Sequence, residues 1–99
     1  MPIYVVQCRL NNPGQNAAAI DATLRTLDDC LNPFPGTWIV QGATTAKMLR
    51  NVVVEHLGTD DGLLITRAGN EAGWEHLDRE IEAWLTDRFT REESTDITR

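Results

Sequence analysis

The chain has 99 residues, is 41% hydrophobic and 24% charged, and carries a formal net charge of −6. That composition fits one ordinary globular domain with a modest core. It argues against a nucleic-acid binder, which needs clustered Lys and Arg, and no apolar run reaches the length of a membrane span.

Residues 2 to 10, PIYVVQCRL, are rich in β-branched side chains and predict a first strand. No basic stretch with a long apolar run precedes them, so a secretory signal is not expected and a cytoplasmic location is. Alternation puts Tyr4, Val6 and Cys8 on one face and Ile3, Val5, Gln7 and Arg9 on the other. Both faces begin apolar, which predicts a central strand covered on both sides. NNPG then predicts a type II turn, with Pro13 at its second position and Gly14 taking positive φ at its third. Asn16, or less well Gln15, is the expected cap of a helix running to about Asp28. Its apolar stripe is Ile20, Leu24, Leu27 and Leu31.

CLNPFPGTWIVQG predicts an irregular hairpin: a short edge strand, where Pro33 and Pro35 deny ladder donors, and a stronger strand over 37–41. TTAKMLRNVVVEHLG predicts a second helix capped by Thr44, with Leu49, Val52, Val53 and Leu57 inward and Gly58 past its end. TDDG is a turn, LLITRA the last main strand, and GNEAG a loop. WEHLDREIEAWLTDRF predicts a third helix with Leu77, Ile81, Trp84 and Leu85 on one face. TREESTDITR is polar and unpatterned, so the expected organisation is one domain over 1–89 and a mobile tail over 90–99. The order β-α-β-β-α-β with two right-handed crossovers predicts an α+β, ferredoxin-like sandwich with an added C-terminal helix. Its helices cover one sheet face, and the third helix or a second copy of the chain is expected to cover the other.

Few residues offer chemistry. Cys8 and Cys30 match no Cys-x-x-Cys spacing and read as reduced thiols. His56 and His76 stand alone, so no metal site or cofactor is expected. Ser94 is the only serine, which leaves no nucleophilic triad. Residues 71–99 hold nine acids and four bases, against six and five in residues 1–70, so the charge concentrates late in the chain. That acidic end reads as a solvated helix face and tail.

Four pieces together resemble a known group: LNNPGQN (10–16), GTWIV (36–40), DDGLLIT (60–66) and AGW…AWL (72–85). In this order they are similar to small prokaryotic proteins called SinR-like. Those are related to the VapD toxins and to the small ferredoxin-like CRISPR adaptation protein. The resemblance implies a homodimer, and in the nuclease relatives strand one ends in an aromatic residue and an aspartate that holds a divalent metal across the dimer. Here those positions carry Cys8 and Arg9. A guanidinium repels a cation instead of binding it.

Arg9 and Arg67 both end strands and share a parity that would put them on one sheet face. With Asn11, Asn12, Gln15 and Asn16 they make a candidate binding loop for an anion, aided by the N–H groups at the helix start. The alternative is that both arginines are surface residues paired with the acidic third helix. Trp38, Trp74 and Trp84 could stack bases, or pack in a core or dimer interface. Three functions follow, in order of preference. The first is a non-catalytic interaction or regulatory protein, for example from a mobile element, with a host or viral protein partner. The others are a divalent-metal ribonuclease of the toxin type and a non-catalytic nucleic-acid or nucleotide binder.

Overall fold

The structure, a computed structural model, describes residues 1–27 and 29–91. It is an α+β protein, and its backbone divides at Ala68/Gly69 into two units. The first unit holds β1 (Ile3–Arg9), α1 (Pro13–Leu27), β2 (Asp29–Phe34), β3 (Thr37–Gln41), α2 (Ala46–Val53), a 3₁₀ turn at Val54–His56, and β4 (Gly62–Arg67). These strands form one antiparallel sheet in the order β2-β3-β1-β4. β1 is therefore central, as its two apolar faces predict.

The sheet face predicted from alternation is the one the helices cover. Tyr4 and Val6 from β1, Trp38 and Val40 from β3, and Cys30 from β2 meet Ile20 and Leu24 of α1 and Leu49 and Val53 of α2 in one buried cluster. Val6, Ile20, Leu24, Val40, Leu49 and Val53 have no exposed surface. Each such side chain contributes roughly 1.5–3 kcal/mol by leaving water. Trp38 satisfies its indole N–H on Asp21 Oδ1 at 3.0 Å, so its burial leaves no polar atom unpaired. On the opposite face Gln7, Leu64 and Thr66 are exposed.

Several local expectations are corrected. α1 begins at Pro13, not after a type II turn, and Gly14 is helical. Asn12 C=O accepts the first helical bond, from Asn16 N–H at 3.3 Å. Proline suits the first helical position because its missing N–H would have no partner there. The positive φ belongs to Gly36, at +81°, in the β2–β3 hairpin. The α1 stripe stops at Leu24: Leu27 is 45% exposed and Leu31 lies in β2. The cap of α2 is Thr45, whose hydroxyl accepts Met48 N–H at 3.1 Å, not Thr44.

The second unit holds β5 (Glu71–Ala72), α3 (Arg79–Arg88) and β6 (Thr90–Arg91), with β5 and β6 paired in parallel. The expected loop at GNEAG thus contains one strand of this pair, and the expected tail starts with the other. The rest of that tail, 92–99, lies outside the described residues. α3 is shorter than expected because His76 takes φ +55°, which breaks the helix before Asp78. Leu77 and Trp74 therefore precede it, and Trp74 and Trp84 do not share a helical face. Leu85 is buried, and the Arg88 guanidinium lies 3.9 Å from the Trp84 ring centroid.

Candidate functional site

The candidate loop lies at the end of β1. There the chain passes from Arg9 through LNN into α1, beside the loop that leads from the 3₁₀ turn into β4. Asp61, two residues before Leu63, ties the two loops together. Its Oδ1 accepts Asn11 N–H at 2.8 Å, and its Oδ2 accepts Gly58 N–H at 2.7 Å and Asn16 Nδ2–H at 3.2 Å. The Gly58 N–H, then the Asn11 N–H, the Asn16 amide and the nearby Arg9 charge hold this carboxyl below its ordinary range. Three of roughly four acceptor positions are thereby filled.

Arg9 lies across the same loop. Its Nη2 donates to Asp60 C=O at 3.5 Å. Its guanidinium packs over Gly62, where an added Cβ would stand 3.1 Å from it. The register sets this pair: Arg9 faces Gly62 across the β1–β4 ladder. A larger residue at 62 would lift the guanidinium off the strand. On the other side of β1, Cys8 N–H donates to Gly36 C=O at 2.8 Å. Gly36 approaches so closely that an added Cβ would stand 2.8 Å from Cys8 O. The Cys8 thiol is half-buried and raised above its usual pKa by burial, then by Asp61. Cys30 is buried and pushed up to about 11, chiefly by burial. Both thiols are free.

The candidate loop is thus partly assembled. Arg9, Asn11 and Asn16 gather at the Asp60–Gly62 segment, while Asn12 contributes only its C=O, to Asn16 N–H, and Gln15 is exposed on the first turn of α1. Arg67 is not among them. It pairs with Tyr4 at the opposite end of the ladder, on the helix-covered face, whereas Arg9 shares the face of Val5 and Gln7. β4 runs antiparallel to β1, so two residues that each end a strand lie at opposite ends of the sheet. The expected Arg9–Arg67 anion pair does not form. Sequence reading gave Asp61 only a turn role; the signal was a carboxylate three residues after Gly58, the spacing at which a side chain reaches back to a backbone N–H.

A divalent metal does not fit these residues. The strand-end position holds a cation, and the adjacent carboxylate already accepts three N–H donors. No group of three His, Cys, Asp or Glu side chains converges elsewhere among the described residues. Among them, too, no helix is long and apolar enough to cross a membrane. Comparison with family models, curated proteins and solved structures returns no match.

Proposed function

We propose that this chain is a non-catalytic interaction protein on a ferredoxin-like scaffold of the SinR-like, VapD and CRISPR-adaptation kind. The observation that carries the reading is Arg9. It occupies the strand-one end where a metal-dependent nuclease needs a carboxylate, and it is built into the loop through Asp60 and Gly62. Asp61 serves as a loop tie, its oxygens directed to Gly58, Asn11 and Asn16. The strand order supports the scaffold: α1 links β1 to β2 with β3 between them, and α2 links β3 to β4 with β1 between them.

A homodimer belongs to this proposal, supported by Leu64, 57% exposed on the sheet face away from α1 and α2. Gel filtration with light scattering tests it, and a monomeric mass would remove it. The interaction role is tested by affinity capture from a host lysate. One protein should be recovered in stoichiometric amount, and a clean capture counts against the role.

A further inference from the structure

The sheet has two edges, and they are built differently. β2 carries Pro33 and a register irregularity between Leu31 and Phe34. Proline and bulges are the usual devices that keep an edge from pairing with another chain. β4 has neither device. It pairs with β1 without a break from Arg67 to Gly62, and no described strand lies on its other side. Ala68 N–H donates to Ile3 C=O at 2.8 Å. By alternation the backbone groups of Thr66, Leu64 and Gly62 also face β1, and those of Leu63, Ile65 and Arg67 face outward.

A groove of about 460 Å³ runs between this edge and α2. Leu57, Leu63 and Ile65 give it an apolar floor, with Lys47 and Arg50 on the helix wall. Three residues apart on one helix, these two cations point to the same side. Both are exposed. Among the described residues neither forms an ion pair, and Arg50 donates only to Asn51 Oδ1, at 3.1 Å. Asp61 also borders the groove, but its oxygens are directed to Gly58, Asn11 and Asn16. The contact surface is therefore an open strand edge, an apolar floor and an unneutralised basic wall.

We propose that this edge and groove bind an extended acidic segment of a partner protein, which adds a strand alongside β4. The proposal rests on the interaction-protein reading and supplies the chemistry of the partner. Backbone groups of the segment pair with those of Leu63 and Ile65. Its groove-side residues place carboxylates at Lys47 and Arg50, with their methylene groups against Leu57. Acidic complementarity selects the occupant, since a basic segment would face two like charges.

The test uses two acetylated, fluorescein-labelled hexapeptides, one alternating Glu with Val and one alternating Lys with Val, titrated by anisotropy. The Glu peptide should bind, the Lys peptide should not, and the Leu63 and Ile65 amides should gain exchange protection. Lys47→Glu combined with Arg50→Glu should weaken binding about tenfold, as two interfacial charge pairs warrant. Ile65→Pro, which removes an outward N–H, should weaken it independently. Equal binding of both peptides, or no binding of the Glu peptide up to about 1 mM, would overturn the proposal. So would a dimer that the double variant cannot form, since a second copy would then hold the edge. A lysate partner captured equally by wild type and double variant would remove the groove while leaving the interaction role intact.

Discussion

Replacing Gly36 by alanine probes the junction on which the candidate site is built. At φ +81° an L side chain is strained, at a cost of about 1–2 kcal/mol. The new Cβ would also stand 2.8 Å from Cys8 O, a backbone atom in the central strand that cannot rotate away. Relief requires the hairpin to move off β1, which weakens the Cys8 N–H···O=C Gly36 bond of 2.8 Å, worth about 1 kcal/mol net. Together these predict a loss of roughly 2–3 kcal/mol, or about 10–20 °C in Tm for a protein of this size. Gly14→Ala is the matched control. It is helical, and an added Cβ meets nothing within 4 Å. It should stabilise by up to about 1 kcal/mol. Urea unfolding followed by tryptophan fluorescence measures both. A Gly36→Ala loss under about 0.5 kcal/mol, within the range of neutral surface changes, would refute the reasoning.

Leu49→Ala, at a site with no exposed surface, should cost about 2–5 kcal/mol in the same assay, and a loss below 1 kcal/mol would place Leu49 outside the core. Asp61 should titrate below the usual aspartate value near 3.9 when followed by NMR. Its pKa is lowered on folding, so its contribution is complete above the unfolded value and is lost as pH falls through the folded one. A midpoint at or above the usual value would contradict the N–H ties. Cys30, pushed up to about 11, should be alkylated at pH 8 at least about a hundredfold more slowly than free cysteine, because only the thiolate attacks. Comparable rates would show that the thiol is not held in the core.

The elements of the sheet were legible because their signals are short-range and redundant. Alternation in β1 marked the face that packs on the helices, and prolines marked β2 as an edge. The Leu49 and Val53 spacing identified α2 despite its β-branched run. What failed depended on partners distant in sequence. Pro13-Gly14 and Pro35-Gly36 carry the same local turn signal. Only the latter is pinned against Cys8 of the central strand, and only it adopts positive φ. The parity of Arg9 and Arg67 was counted along the chain, but the β1–β4 register decides their faces and places them apart. Asp61 and Asn11 are separated by fifty positions, so the tie between their loops had no trace in either segment alone. The residue that decides the candidate site, Arg9, was readable from its place in LNNPGQN's lead-in; its packing on Gly62 was not.

The central claim is that the strand-one end holds a fixed cation and supports no metal-dependent cleavage. The most direct measurement incubates the purified protein with structured and single-stranded RNA and Mg²⁺ or Mn²⁺, with and without chelator. Intact RNA under every condition is the predicted result. Cleavage that scales with protein, requires the metal and disappears with chelator or with Arg9→Ala would contradict it.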